Sequence, residues 1–407
     1  MPGWDQTKEW AAANPDMAKA LLAAQSAFVF GMPYGRANVP PEFVEKGLFI
    51  AVGEGENMFV TTPAYMNGMG VVAAYVAAEM YRLGEEKKFE EAFALGLASM
   101  RVWRQMADQQ LLEEKRLALE GLCDLASLQR DFMQTYLKEI APVTLKRMAL
   151  DGYPFVRAAD AERLRRLEMP EGDRVVAEIA LADMFDAQGQ ADRTKFAAVM
   201  APLQARKEPL SQFGAARRWE SIAEVHGSLD ATKAKMTSVY DDWWRRWRVR
   251  YFDPLLDNPT ALSRTNKVRY AMVMLVARDL ESIFALRKRT NAELNGTALA
   301  AGLCAWNREL SSWPRSMDQS YTQYVRKRFD YDPFDPDYGR WKYESLSSPK
   351  VVDCEFGRVE VSDCLLYAVG LDRVDAGGLK ATKDGLTGDF IAWPALRALS
   401  RAQHTQP

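Results

Sequence analysis

Histidine is nearly absent from this 407-residue chain, which contains only His226 and His404. His404 lies in the C-terminal stretch RAQHTQP, which we expect to fray, so His226 is the one imidazole expected to be ordered. Imidazole is the usual general base of serine hydrolases and the commonest nitrogen ligand of protein-bound metals. The scarcity of histidine therefore disfavours both a serine–histidine hydrolase and a histidine-rich metal site.

Cysteine is also scarce, and none of the four cysteines forms a C-x-x-C pair. This spacing excludes the common zinc and thioredoxin-like motifs. Cys123 and Cys304 lie in apolar helical contexts and are expected in the core. Cys354 and Cys364 flank a strand-like segment and could form a disulfide in an oxidising compartment. Their Cα separation cannot be read from the sequence, so the bonded and the free state both stay open.

The chain has neither a strong net charge nor a long apolar run. Its 53 basic residues balance 55 acidic ones, a net charge of −2, which indicates no nucleic-acid partner. The most apolar stretch, residues 64–80, carries Asn67 and Glu79 and is shorter than the ~18 residues of a membrane helix. We therefore expect no integral membrane segment. The start MPGWDQTKEW shows no signal peptide, so either the protein is cytoplasmic or an upstream leader or anchor is missing.

Helical hairpins account for most of the chain, which is long enough for two or three domains. We expect an N-terminal helix and a β-hairpin at 46–62 in residues 1–62, and a helical-hairpin body at 63–260. Two hairpins share a pattern similar to a tetratricopeptide unit, with an aromatic residue and a glycine before the second helix: Tyr81 and Gly84, then Phe185 and Gly189. Their spacing is not a multiple of 34 residues, which favours a bundle or a short α-solenoid over a regular array.

The sequence YDDWWRRWRVRYFDP at 240–254 combines aromatic residues with arginines. Trp243, Trp244, Trp247 and Tyr251 fall on one face of a helix. Such a surface could stack nucleobases or lie at a membrane interface. We favour an amphipathic helix that buries its indoles, because the stretch occurs once and the chain is neutral overall.

Beyond residue 265 the pattern changes from helix to strand. A long helix is predicted from Asn266 to about Ser311, with Asn295-Gly296 as a point where it could break. The two Asp-Pro steps of DYDPFDPDYGRWKYES at 330–345 then turn the chain into a strand, since proline fixes φ and aspartate accepts local backbone bonds. RWKYESL, the run at 358–370 and GDFIAWP at 388–394 are the predicted strands. We expect residues 265–400 to form a long helix packed on a small antiparallel sheet.

These C-terminal motifs, in this order, resemble the globular domain of type II secretion pseudopilins. The likeness covers about residues 290–394 and is carried by TALAAGLCAWNRELSSWPRSMDQ, DPFDPDYGRWKYES, LLYAVGLDRVDAGG and GDFIAWP. The helical hairpins and this resemblance together predict a mainly α chain, in which a helical-hairpin bundle or short α-solenoid precedes a small pseudopilin-like α+β module. It also implies an extracytoplasmic or cell-envelope location, with a cytoplasmic one as the alternative.

The same resemblance implies a calcium site in the loop after the Leu-Tyr motif. The carbonyl of Val369 and the carboxylate of Asp372 would be ligands, completed by Asp375, Asp384 or Asp389. Ala368 and Arg373 stand where the family has Ser and Gly. The alternative is a polar turn with solvated aspartates. No other cofactor is implied.

Three classes of function fit these patterns. The first is a non-enzymatic binding or scaffold protein with a protein partner. The second is an accessory component of a secretion or pilus-like apparatus. The third is an enzyme, whose candidate carboxylates Glu113, Glu114 and Glu120 alternate with Lys115 and Arg116 as on an exposed, salt-bridged face. We rank the enzyme last.

Overall fold

Helices make up most of the chain, and a small antiparallel sheet follows them near the C-terminus, as predicted. The computed structural model describes residues 3–27, 29–37, 39–52, 63, 65–152, 167–207, 212–251, 253–335, 337, 339–382 and 387–404. Within these ranges no helix combines the length and apolar character needed to cross a membrane.

The first helices form the layers on which the rest of the chain packs. In chain order they are α1 (Trp4–Ala13), α2 (Pro15–Ala24), α3 (Pro41–Glu45), α4 (Met66–Glu85), α5 (Phe89–Met106), α6 (Leu112–Tyr136) and α7 (Pro142–Arg147), followed by a π-helical turn (Met148–Gly152). The predicted hairpin of α4 and α5 is present, and Gly84 lies in the last turn of α4 against the ring of Tyr136. The predicted β-hairpin at 46–62 falls largely outside the described residues; Ile50 makes a single parallel bridge with Tyr34.

A second set of helices completes the body. They are α8 (Gly172–Met184), α9 (Arg193–Lys207), α10 (Gln212–Ala223) and α11 (Leu229–Arg248), then a 3-10 turn (Pro254–Asp257) and α12 (Ala271–Ala277). The prediction that the tryptophan-rich helix is structural is confirmed, because Trp243 and Trp247 are buried and both pack on Phe284 at 5.8 Å between ring centroids. Trp244 is half-buried and donates to Glu171.

The long helix α13 (Leu280–Leu310) ends where predicted, next to Ser311, but differs from its prediction at the start and at the expected break. The segment from Asn266 is not continuous with it, since α12 ends at Ala277. Gly296 does not break α13. A β-carbon there would lie 2.7 Å from Cβ of Ala392 and 2.7 Å from Cη2 of Trp341, so this glycine lets the helix approach the sheet closely.

Five short strands follow, in two small sheets. They are β1 (Lys342–Ser345), β2 (Lys350–Cys354), β3 (Gly357–Val361), β4 (Cys364–Ala368) and β5 (Phe390–Trp393). One sheet has the order β1-β4-β5, and the other is the hairpin β2-β3, all antiparallel. The single strand predicted at 358–370 is wrong: the chain there forms β3 and β4, which belong to different sheets, and β2 was not predicted.

All four cysteines are free thiols in this structure. Cys354 is half-exposed at the end of β2, whereas Cys364 is buried at the start of β4.

The Asp-Pro loop is held by the first of its two aspartates. Asp332 is fully buried and accepts bonds from the N–H of Phe334 (2.8 Å) and of Val369 (2.8 Å). Asp335 accepts from the N–H of Asp337 at 2.8 Å. Both contacts within the loop are the local bonds that the sequence predicts. The bond to Val369 goes further, because it ties the loop to the end of β4.

The last helix, α14 (Leu396–His404), packs between α6 and β3. The side-chain amide of Gln403 accepts from the N–H of Glu360 (3.1 Å) and donates to its carbonyl (2.6 Å). The prediction that His404 lies in a frayed tail is wrong, because His404 is the last residue of this helix. Its Nδ1 lies 2.8 Å from the carbonyl oxygen of Ser400.

One hydrophobic cluster runs through the described helices and into the sheet, from Ala11 in α1 to Trp393 in β5. Below, "body" denotes α1–α11 and "C-terminal module" denotes α13, β1–β5 and α14. The predicted three-part division of the chain stays a prediction.

Replacing Gly296 with alanine should destabilise the protein, because the added methyl group must displace Ala392 or Trp341. Overpacking of this kind costs about 1–3 kcal/mol. The matched control is Gly70→Ala in α4, where a β-carbon would meet nothing within 4 Å and helix propensity should add about 0.5–1 kcal/mol. Urea unfolding measures both. Equal effects of the two substitutions would contradict the close approach.

Asp332 should make stability depend on pH. Burial raises the pKa of its carboxyl from 3.8 to about 6. A raised carboxyl pKa means that the native state holds a proton that the unfolded state has lost, so this contribution is complete below about pH 4 and is lost as pH rises through 6.

We expect the stability of the wild type, relative to Asp332→Asn, to fall by roughly 3 kcal/mol between pH 4 and pH 7. Urea unfolding at a series of pH values measures the difference. Asp335→Asn, which changes the other Asp-Pro step, is the control for general effects of the loop. If the difference in free energy of unfolding between the wild type and Asp332→Asn stayed constant with pH, Asp332 would not be the source of the pH dependence.

Candidate functional site

A cleft of about 280 Å³ opens where the body meets the C-terminal module. One wall is α6 and α13; the other is formed by the β2–β3 turn, residues 381–382, β5 and the start of α14. These segments are distant in sequence, so the cleft is created by tertiary packing. Its mixture of apolar, hydroxyl and charged side chains is typical of a binding site.

A buried ion pair forms the floor of the cleft. Nη2 of Arg130 on α6 donates to Oε2 of Glu293 on α13 at 2.5 Å, and the side chains are 6% and 2% exposed. Nη1 of Arg130 donates to the hydroxyl of Thr297 at 2.6 Å, and its guanidinium lies 5.7 Å from the ring centroid of Phe390 in β5. The pair therefore joins the body, the long helix and the sheet at one point.

Asp131, the next residue of α6, points to the first turn of α14. Its carboxylate accepts from the N–H of Ala398, the third residue of that helix. Burial raises the pKa of Asp131, while the charges of Arg401, Arg397 and Arg130 act in the opposite direction. Because the N-terminus of a helix carries partial positive charge, Asp131 acts as a cap supplied by another helix.

The rim carries charges of both signs beside an apolar wall. Glu355 in the β2–β3 turn is exposed, and so is Arg397, whose side chain is 60% exposed. Phe356, Ile391 and Leu396 line the wall between them and are half-buried. A ligand with an apolar part and a charged group would match both features.

The predicted calcium ligands Asp372, Asp375 and Asp389 do not line the cleft, and most of their carboxylate oxygens accept bonds from backbone N–H groups. Asp389 is fully buried and accepts from the N–H of Ala376 (3.2 Å) and Gly378 (2.7 Å). Asp372 accepts from the N–H of Val374 (3.1 Å) and Gly388 (2.6 Å).

The remaining ligands of that prediction behave in the same way. Asp375 accepts from the N–H of Gly377 at 2.9 Å, and Val369 is buried with its N–H on Asp332. Asp384 lies outside the described residues. Across the described ranges, no group of three or more His, Cys, Asp or Glu side chains is placed to hold a metal ion. The calcium site stays a prediction.

Two of the charged residues assigned to an exposed face are buried, contrary to that prediction. Glu113 pairs with Arg116 on the surface, but Glu114 and Lys115 are fully buried. The carboxylate of Glu114 accepts from the phenols of Tyr34 and Tyr65 (the latter at 2.5 Å). Burial raises the pKa of Glu114, and this contact holds residues 34 and 65 against the first turn of α6.

Lys115 lies in the apolar core, where burial lowers its pKa to about 8. Its Nζ donates to the carbonyl of Ala107. The sequence did contain a signal for this position, because Lys115 falls three residues after Leu112 and four before Leu119, on the apolar stripe of α6.

Comparison of the chain with protein-family models, with curated proteins and with solved structures found no match. The resemblance to pseudopilins therefore stays a prediction.

Replacing one partner of the buried ion pair should lower the free energy of unfolding far more than replacing both partners together. Arg130→Met or Glu293→Leu alone leaves an uncompensated buried charge and should cost about 3–5 kcal/mol. The double variant removes both charges, and we expect its loss to be smaller than that of either single variant.

A double-mutant cycle by urea unfolding measures the coupling between the two residues. Arg116→Ala, which breaks an exposed pair on the same helix, is the control and should cost less than about 1 kcal/mol. Additive losses in the double variant would contradict a paired, buried site.

Proposed function

We propose that the chain is a non-enzymatic binding protein in which the body and the C-terminal module together present one ligand site, the cleft between them. The observation that supports this most directly is the floor of the cleft, where Arg130 and Glu293 join α6 to α13. A buried pair of this kind favours one relative position of the two elements, and a fixed cleft is preorganised for binding.

The charges of the cleft favour binding over catalysis. Arg130 and Glu293 neutralise each other, and Asp131 caps α14. A general acid or base needs access to the proton that it transfers. Because Arg130, Glu293 and Asp131 are already hydrogen-bonded within the protein, they are better suited to hold a ligand by their charge than to transfer a proton to it.

We propose an extracytoplasmic or cell-envelope location and a protein partner, and the pseudopilin-like succession of motifs supports both. A second candidate, an accessory component of a secretion or pilus-like apparatus, is supported by the same module. There α13 lies across the antiparallel sheet β1-β4-β5 and meets β5 and β4. Shared architecture alone does not transfer a function, so the binding role is ranked first.

Filling the cleft should abolish binding without unfolding the protein. Ser127 lines the cleft from α6 and is half-buried, so Ser127→Trp places an indole in the open space. Asp124→Trp is the matched control, because Asp124 is exposed on the same helix and does not line the cleft.

The tagged wild type and both variants are used for affinity purification from the cells that produce the protein, with mass spectrometry of what co-purifies. We expect the amount of co-purified partner to be unchanged with Asp124→Trp and to fall at least tenfold with Ser127→Trp. The melting temperature of both variants should equal that of the wild type. Equal retention by all three proteins, or no specific partner with the wild type, would argue against the proposed function.

A further inference from the structure

We propose that the cleft binds a cationic side chain, lysine or arginine, of a partner protein, and that Asp131 is the acceptor of its charge. This inference rests on the proposed function, since it names the chemistry of the ligand for the same site. It depends on the hydrogen bonds and charges of the floor, on the exposure of Arg397, and on the shape of the apolar wall.

Glu293 and Asp131 differ in the length of their charged contacts. Glu293 receives a direct charged hydrogen bond from Arg130 at 2.5 Å, and Arg289 lies 3.7 Å away on its other oxygen. Asp131 is 5% exposed, and its ion-pair contacts with Arg397 and Arg401 are both 3.9 Å long. That distance exceeds a hydrogen bond, so a further donor can reach a carboxylate that has about four acceptor sites.

Arg397 occupies the position that an incoming cation would take. Its side chain is 60% exposed, and its Nε lies 3.9 Å from Oδ2 of Asp131. A weak, exposed pair of this kind contributes little to stability, so the arginine can move away at small cost. Asp131 then exchanges its long contact with Arg397 for a direct charged hydrogen bond from the ligand, which is stronger.

The walls fit the stem of a long cationic side chain. Lysine and arginine carry an apolar stem that packs on apolar surface while the charged end reaches a polar partner. Phe356, Ile391 and Leu396 provide such a surface in the lining that they share with Asp131. A volume of about 280 Å³ corresponds to about nine liquid waters, which is enough for one such side chain.

An anion is the less favourable occupant. The start of α14 and the exposed Arg397 would attract one, but Asp131 already takes the amide of Ala398. The lining also holds three carboxylates, on Asp131, Glu293 and Glu355, against two guanidiniums, on Arg130 and Arg397. Of these two guanidiniums, Arg130 is already bonded to Glu293 and Thr297, so an anion in the cleft would depend on Arg397 and, beyond the lining, on Arg401.

The test measures how the full-length protein binds four small probes that share one backbone, by ligand-observed NMR titration. The probes are the N-acetyl amides of lysine, arginine, norleucine and glutamate, which present a cation, a second cation, a neutral stem and an anion. The lysine and arginine probes should bind at least tenfold more tightly than the norleucine probe, and the glutamate probe should bind most weakly.

Variants assign the preference to Asp131. Asp131→Asn keeps an acceptor for Ala398 but removes the charge, and should reduce the preference for a cation to less than twofold. Asp124→Asn, an exposed carboxylate on the same helix, should leave it unchanged. Arg397→Ala removes the competing cation and should tighten binding of the lysine probe. It therefore tests the proposal even if Asp131→Asn unfolds.

The outcomes separate this inference from the proposed function. Preferential binding of the norleucine or glutamate probe, lost in Ser127→Trp, would overturn the ligand class and leave the cleft as a binding site. An unchanged cation preference in Asp131→Asn would overturn the role of Asp131. Absence of binding by every probe, together with a co-purifying partner that Ser127→Trp does not affect, would overturn both.

Discussion

The continuous burial of residues 292–305 in α13 is the constraint on which the arrangement of the chain depends. Every residue from Ala292 to Ala305 is buried, because α6 and α7 pack on one side of the helix and the sheet packs on the other. Small side chains dominate this stretch, and Gly296 and Gly302 allow the closest approaches. A helix in this position must match its neighbours over its whole circumference, so the body and the C-terminal module cannot move independently around it.

Glu293 lies within this buried stretch, so its charge must be met by another group inside the protein. Arg130 meets it from α6, and the same guanidinium contacts Thr297 and the ring of Phe390. Such pairs often add little net stability, but a wrong arrangement that leaves one charge unpaired is costly. The pair thus favours one packing of α6 against α13, and the contact of Arg130 with Phe390 brings β5 to the same point beside the cleft.

The sequence was informative where local chemistry decides the structure. Alternating aromatic residues predicted β1, and the apolar run before Pro394 predicted β5. The Asp-Pro steps predicted local turns, which Asp332 and Asp335 form. It was less informative where a boundary depends on packing: nothing in the residues around Arg278 forbids a helix, yet α12 and α13 are separate.

Three further differences between prediction and structure concern the boundary between β3 and β4, the burial of Lys115 and the cleft. Ser362 and Asp363 interrupt the run at 358–370 and separate β3 from β4, although the surrounding residues favour a strand throughout. The charge of Lys115 favours an exposed position, whereas its phase on α6 puts it on the apolar face. The cleft could not be predicted from local patterns at all, because its walls come from segments between residues 127 and 397 that only the complete fold brings together.

The amide of Gln403 has the same donor and acceptor as a peptide group, and it bonds both backbone groups of Glu360. Gln403 thereby satisfies, at this one residue, the backbone groups that a neighbouring strand would pair. An uncovered strand edge is a template on which chains can join one another into aggregates. At Glu360, a single side chain of the last helix thus occupies groups through which the hairpin could pair with another molecule.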